Sequence, residues 1–232
     1  MKRLNILLSA LLSLFLFTSV QAGSFGLGVS GNVASVSAGG TETEGTSGSE
    51  TETATDNSAT AGNSFMFGSV YAEYAFGDEE NFVFGIEHVP FSADINSKTL
   101  SRTDSCVGNN CDVSSEADTG TVKANAAIDN HTTYYVELGT GGTGIYGKVG
   151  FAQVDIDVTQ TNTSGYGTYP DKTLDAWTYA LGYKAGFGDK GVVKIEGFMT
   201  DYDTYSATST TSNTLKADLD VVGAKLSLGV KF

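Results

Sequence analysis

The feature that most constrains this chain is a period-two alternation of apolar and polar residues, which recurs eight times after residue 22. One run shows the design: its bulky face is formed by Trp177, Tyr179, Leu181, Tyr183 and Phe187. The residues between them are Thr, Ala, Gly or Lys. Successive side chains of a strand point to opposite faces, so each run predicts a strand with one bulky face and one face of small or polar residues.

The connectors between these runs alternate in length. The eight predicted strands cover residues 24–37, 64–76, 82–95, 131–140, 144–158, 177–188, 191–204 and 215–232. Tight turns rich in Gly, Asp and Asn join some of them, at 77–81, 141–143 and 189–190. Long polar loops join the others, at 38–63, 96–130, 159–176 and 205–214. Short turns alternating with long loops are typical of a transmembrane barrel, so the predicted fold is all-β: an eight-stranded antiparallel up-and-down β-barrel with four long extracellular loops.

The N-terminal segment has the organisation of a secretory signal peptide. Lys2 and Arg3 precede an apolar stretch over residues 4–17, and residues 20–22 supply the small side chains of a cleavage site. We therefore predict that residues 1–22 are a signal peptide and that residues 23–232 form the exported barrel. No later stretch holds eighteen consecutive apolar residues, so the sequence predicts no transmembrane helix.

The charge balance excludes one class of partner. The chain has 13 basic and 27 acidic residues, and removal of Lys2 and Arg3 would take the net charge from −14 to −16. Nucleic-acid phosphates would be repelled by such a surface, so we expect no nucleic-acid partner. The low-complexity stretch 41–61, rich in Thr, Glu, Gly and Ser, has too few apolar residues to form a packed core and is expected to be mobile.

The last run ends in a C-terminal aromatic residue. Its bulky face is formed by Val222, Ala224, Leu226, Leu228, Val230 and Phe232. With the signal peptide and the alternating turns, the chain resembles the small eight-stranded outer-membrane barrels: the OmpA transmembrane domain, OmpX and the opacity-type surface proteins. The resemblance implies a Gram-negative outer-membrane location, contact with membrane lipid, and recognition of the strand ending at Phe232 by the barrel-assembly machinery. It implies no cofactor.

Charged residues fall on the inner face near the middle of the strands. They are Glu73, Glu87, Glu137, Glu196, Lys148, Lys184, Lys194 and Lys225. An unpaired charge inside a narrow barrel is costly to desolvate, so four residues of each sign predict a lumen filled by a salt-bridge network. The alternative is a gate in which rearranged pairs open a thin path for ions. A general porin is excluded, since eight strands enclose only enough space for their own side chains.

One predicted strand breaks the alternation. In the run 144–158, Val149 and Phe151 fall on the outer face, but Val154 and Ile156 fall on the inner one. We predict a β-bulge near Gln153 to account for the change of phase.

Two further groups of residues suggest local sites. Cys106 and Cys111 lie in one polar loop of an exported chain, so a local disulfide is the favoured interpretation. Four acidic residues at the ends of neighbouring strands, Asp201, Asp203, Asp218 and Asp220, could bind a hard divalent cation. We favour the alternative that they form a solvated acidic end of the hairpin.

The sequence leaves three kinds of function open. The favoured one is a structural and surface-interaction barrel with acidic extracellular loops. The others are a narrow channel for small solutes or ions, and a soluble secreted barrel whose bulky face would line a ligand cavity. His88 and His131 show no Ser/His/Asp spacing that identifies an enzyme, so we predict no catalytic activity.

Overall fold

The computed structural model describes residues 23–43, 56–77, 80–103, 119–140, 144–162, 168–210 and 214–232. These residues form ten β-strands: β1 (Gly23–Thr43), β2 (Asp56–Phe76), β3 (Phe82–His88), β4 (Ala93–Thr103), β5 (Thr119–Gly139), β6 (Ile145–Asn162), β7 (Lys172–Phe187), β8 (Gly191–Tyr202), β9 (Tyr205–Thr208) and β10 (Thr214–Lys231). Within these ranges no helix has the length and apolar character needed to cross a membrane. The predicted signal peptide, residues 1–22, lies outside the described residues.

The strands form one closed antiparallel barrel. The pairing order around the wall is β1–β2–β3–β5–β6–β7–β8–β10, and β1 also pairs with β10, which joins the two ends of the sheet. β3 and β4 both pair with β5, and β8 and β9 both pair with β10, so each of these two couples occupies one position in the wall. The wall therefore has eight positions, and the predicted eight-stranded up-and-down fold is confirmed.

Pro90 explains why one wall position is split. β3 ends at His88, and Val89 still donates its N–H to the carbonyl of His131 at 2.9 Å. Pro90 has no N–H and cannot continue the ladder. The chain resumes pairing with β5 at Ala93, in register with Ile128.

Several strands are longer than the hydropathy pattern predicts. The ladder between β1 and β2 runs from Gly23 opposite Phe76 to Thr43 opposite Asp56. As a result, all four predicted loops contain residues that belong to strands. Backbone hydrogen bonds hold a ladder whatever the side chains are, so Ser- and Thr-rich segments extend the strands without an apolar face to mark them.

The predicted bulge near Gln153 is wrong. β6 continues without interruption, and the extra residue lies on its partner β5, where the register shifts between Asp129 and Thr132. Asn130, inside this bulge, has a φ of 52°, a left-handed conformation that Asn tolerates better than most residues. Val154 and Ile156 follow the alternation and are buried inside the barrel.

On β6 the apolar residues move from the outward face (Val149, Phe151) to the inward face (Val154, Ile156). This point marks a level at which the polarity of the whole wall reverses. Below this level, towards the short turns, the outward side chains are apolar; we call this zone the apolar belt, and its uppermost members are Val33, Met66, Tyr134, Phe151, Trp177, Met199 and Val222. The next outward residues on the same strands are polar: Ser35, Ser64, Thr132, Gln153, Asp175, Asp201 and Asp220. On β10 the belt runs from Val222 to Val230, about the nine residues with which a tilted strand crosses a bilayer.

Above the belt the interior becomes apolar. Inward residues from β1, β5, β6, β7, β8, β9 and β10 form a buried cluster, the upper core, which includes Val36, Val154, Ile156, Leu174, Phe198, Tyr202, Tyr205 and Val221. The barrel is thus apolar outside and polar inside at its lower end, and polar outside and apolar inside at its upper end. This reversal is why Val149 and Phe151 point outward while Val154 and Ile156 point inward.

Candidate functional site: the barrel lumen

The structure places all eight predicted lumen charges inside the barrel. They come from β2, β3, β5, β6, β7, β8 and β10, and every one lies at an inward position of its strand. Glu137 and Glu196 have relative exposures of 0% and 2%. Charges this deeply buried are stable only when they are paired and hydrogen-bonded.

The lower half of the network is centred on Lys194. Its Nζ atom lies 2.6 Å from Oε2 of Glu73 and 2.9 Å from Oε2 of Glu137. The other oxygen of Glu137 accepts a hydrogen bond from Lys184 at 2.8 Å. Two lysines and two glutamates from four strands therefore share one chain of ion pairs.

The upper half of the network is centred on Glu196. Lys148 pairs with one of its oxygens, and Lys225 lies 3.7 Å from the other. Lys225 also lies 2.5 Å from Oε2 of Glu87, whose second oxygen accepts a hydrogen bond from Ser69 at 2.6 Å. Each lumen carboxylate therefore faces at least one ammonium group.

Three inward tyrosines, which the sequence analysis did not identify, fill the space around the charges. The buried residues are Tyr71, Tyr135 and Tyr146. Tyr135 donates a hydrogen bond to Glu73 at 3.1 Å, and Lys194 lies 5.5 Å from the ring centre of Tyr146. Their rings occupy recesses over inward glycines: Tyr71 over Gly28 and Gly229, Tyr135 over Gly85, and Tyr146 over Gly182. Inward glycines on strands that neighbour an inward tyrosine were the signal that could have revealed these rings.

Gly182 provides a test of this packing. A methyl group at this position would lie 2.5 Å from Cζ of Tyr146, whose ring is fully buried. We expect Gly182→Ala to lower the free energy of unfolding by about 1–3 kcal/mol, the usual cost of overpacking. The matched control is Gly197→Ala, at an outward position where a methyl group meets nothing within 4 Å. Equal effects of the two variants in urea titrations would contradict the packing described here.

The turn-side mouth of the lumen is covered by the turn between β2 and β3. Glu80 forms an ion pair with Lys231 of β10 and accepts a hydrogen bond from Ser24 of β1 at 2.6 Å. Its backbone carbonyl accepts a hydrogen bond from Lys184 of β7 at 3.1 Å. One turn residue thus contacts three other strands across the opening.

A small chamber lies where the charge network meets the upper core. We call it the lumen chamber; its volume is about 30 Å³. The polar residues that line it include Asn32, Glu87, Lys148, Thr178, Thr200 and Lys225. Phe67 and Phe198 line it on the side of the upper core. The remaining lining residues are Val89, His131, Thr133, Tyr135 and Ala180.

The other predicted site residues have different outcomes. Phe232 is exposed beside the turns, where its backbone exchanges hydrogen bonds with Phe25 at 3.2 and 2.8 Å. Cys106 and Cys111 lie outside the described residues, so the disulfide stays a prediction. Nδ1 of His88 and Oγ1 of Thr132 are joined by a hydrogen bond of 2.9 Å. The ring of His131 packs against the ring of Tyr202.

The four acidic hairpin residues do not assemble into a metal site. Asp201 and Asp220 are opposite each other in the ladder, but Asp218 accepts a hydrogen bond from Thr204 and Asp203 lies beyond the end of β8. All four are exposed. In the part of the chain that the structure describes, no three His, Cys, Asp or Glu side chains are grouped as a metal ion requires.

A second acidic group lies above the apolar belt, on β5, on β6 and directly before β7. Asp129, Asp155, Asp157 and Asp171 line an open groove of about 320 Å³ together with Lys172. The pKa of Asp157 is raised above its ordinary value, first because its carboxyl group shares a hydrogen bond with Asp129 and also because Asp171 and Asp155 are near.

This carboxyl pair gives a prediction that can be measured directly. In an NMR titration we expect Asp157 to take up its proton at a higher pH than an ordinary Asp. Asp129→Asn should lower that pKa, because an amide donates to the ionised carboxylate instead of competing for its proton. A raised pKa in the folded state also means that this pair favours folding at low pH, and that its contribution is lost as the pH rises through the pKa of Asp157. An unchanged midpoint in Asp129→Asn would contradict the shared proton.

Comparisons with known proteins give likenesses of fold only. No protein-family model matches the chain, and no curated protein matches it. Among solved structures, the chain is similar to the outer membrane protease OmpT from Escherichia coli, with 8% identity over 92% of this chain and 99% of that one and a TM-score of 0.44. It is similar to the outer membrane protein OprG from Pseudomonas aeruginosa, with 12% identity over 91% and 97% of the two chains and a TM-score of 0.38. A third is the outer membrane protein AlkL in lipid bilayers, with 14% identity over 93% and 95% and a TM-score of 0.37.

Proposed function

We propose that this protein is an outer-membrane surface protein, in which a filled β-barrel anchors an acidic extracellular end. The observation that carries this proposal is the reversal of wall polarity at a single level. A barrel wholly in water would need its apolar face inside along its full length, whereas this barrel has that arrangement only above the belt. A wall that is apolar outside for the length of a bilayer is the pattern of a lipid-embedded barrel.

The exposure of the belt supports lipid as the partner. Leu181, Ile195 and Leu226 point outward with relative exposures of 68%, 60% and 52%. Contiguous apolar surface on this scale is rare on soluble proteins. The residues that a soluble ligand-binding barrel would use to line its cavity, such as Trp177 and Leu228, are exposed on the outside instead, which disfavours that alternative.

The packing of the lumen supports an anchor over a channel. Ion pairs and tyrosine rings fill the lower half, the upper core fills the other end, and Glu80 lies across the turn-side mouth. The lumen chamber holds only a few ångströms of free space in each direction. We therefore propose that the closed state conducts neither solutes nor ions.

The upper end of the barrel supports a role in surface contacts. Carboxylates surround it directly above the belt: Asp201 and Asp220 are exposed, and Asp155 and Asp175 are half-buried. An acidic surface favours cationic partners and disfavours nucleic acid. On such scaffolds the connecting segments usually carry the contacts, and we propose a binding role for them without catalysis.

Membrane location and orientation can be tested together. The purified protein should partition into detergent, and it should migrate differently on a gel before and after heating. A maleimide that does not cross membranes should label Asp203→Cys on intact cells. The same reagent should label Lys190→Cys, in a turn at the opposite end, only after the outer membrane is opened. The parent chain, which keeps its own two cysteines, sets the background; labelling of both variants on intact cells would overturn the proposed orientation.

Conductance separates the anchor from the channel. We expect purified protein to give no steady unitary currents in planar bilayers. Reproducible currents that disappear in a heat-unfolded control would favour the channel.

A further inference from the structure

The orientation of the Asn32 amide is determined by its neighbours. Its Nδ2 atom donates to the carbonyl of Phe67 at 3.3 Å and to Oγ of Ser69 at 3.2 Å. A carbonyl can only accept, and the hydroxyl proton of Ser69 is already committed to Glu87 at 2.6 Å. Exchanging the nitrogen and oxygen of the amide would therefore place an acceptor against two acceptors.

This orientation leaves the Oδ1 atom of Asn32 without a protein partner among the described residues. Asn32 has a relative exposure of 2%, so bulk water cannot reach it. Buried acceptors without a hydrogen bond are rare in folded proteins, and an ordered water molecule is their usual partner.

The lumen chamber, which Asn32 helps to line, has the size and chemistry for that water. Its volume of about 30 Å³ gives room for about one or two molecules. Lys225 has three N–H groups and contacts one carboxylate oxygen at 2.5 Å and another at 3.7 Å, which leaves capacity to donate further. Thr178 and Thr200 share one hydrogen bond at 2.9 Å, so one of their hydroxyl protons remains available.

The lining also distinguishes water from an ion. Lys148 and Lys225 would repel a cation, while Glu87 and the Asn32 carbonyl would repel an anion. Water alone can donate to a carbonyl and accept from an ammonium group in the same position. We infer that the lumen chamber is a binding site for one or two ordered water molecules, which join Asn32 to the charge network at the boundary with the upper core.

Water-to-protein NMR cross-relaxation in lipid bicelles tests this inference. With methyl-labelled threonine, Thr178 and Thr200 should show cross-peaks to water whose sign indicates a bound molecule with a residence time longer than about a nanosecond. Absence of these cross-peaks in the wild-type protein, or a sign that indicates freely exchanging solvent, would overturn the inference.

Two variants test the contribution of Asn32. Asn32→Leu replaces the amide by an apolar group of similar size and should abolish the cross-peaks. Ser30→Ala is the matched control: Ser30 is the preceding inward residue of β1, it bonds to Ser227 at 2.8 Å, and it does not line the chamber. The control should keep the wild-type cross-peaks. If Asn32→Leu does not fold, the wild-type spectrum still decides the question; cross-peaks of full intensity in a folded Asn32→Leu variant would show that the water does not depend on this site.

Discussion

Replacing Lys194 with Met is expected to lower the free energy of unfolding by about 3–5 kcal/mol. The side chain is buried and contacts both Glu73 and Glu137. Its removal leaves two carboxylates in the lumen with one ammonium group fewer, and Glu73 loses its lysine partner. Urea titration of the protein in phospholipid vesicles measures the effect, and the emission of Trp177, the single tryptophan of the chain, follows unfolding because it lies at the upper edge of the apolar belt.

Two further variants identify the cause of that loss. Lys216→Met removes an exposed charge from the outer face of β10 and should change stability by less than about 1 kcal/mol. The double variant Lys194→Met/Glu73→Gln removes the carboxylate that has lost its lysine partner and keeps the Glu137–Lys184 pair, so it should recover most of the loss. If Lys194→Met were no more harmful than Lys216→Met, the lumen charges would not depend on one another.

Placing an arginine at Leu226 should cost about 2–4 kcal/mol, the cost of a cation facing lipid near the middle of the bilayer. Leu226 points outward within the belt, between Gly31 of β1 and Ile195 of β8. An arginine here would have to leave its guanidinium group in hydrocarbon or bend its side chain towards the membrane–water interface.

The control for this prediction lies on another strand, one outward position beyond the uppermost residue of the apolar belt. Ser35 is an outward, exposed residue of β1 directly above Val33, and Ser35→Arg should change stability by less than about 1 kcal/mol. Urea titrations of the two variants in phospholipid vesicles compare their free energies of unfolding, and the difference shows that the bilayer boundary lies between the levels of Leu226 and Ser35. Equal, small effects would indicate a barrel whose outer face meets water throughout.

The lower half of the barrel could be predicted from the sequence in detail. Each strand there carries its apolar residues on one face, so Trp177 and Leu226 could be assigned to one side and Lys184 and Lys225 to the other without coordinates. The same alternation predicted all eight lumen charges. The upper half could not be predicted as well, because its Ser- and Thr-rich strands have no continuous apolar face, and because Val154 and Ile156 carry the apolar pattern on the inside.

The sequence by itself determined the strand-forming character of the chain, the apolar face of each lower strand, and the set of charges that must share the lumen. Only the tertiary structure decided which charges meet, since Lys194 of β8 reaches Glu73 of β2 and Glu137 of β5 through the register and curvature of a closed barrel. It also decided that the phase change in β6 marks the end of the apolar belt and not a bulge in that strand. The physical reason is that alternation is a local property of each strand, whereas pairing across a lumen and the level of a boundary depend on how eight wall positions align.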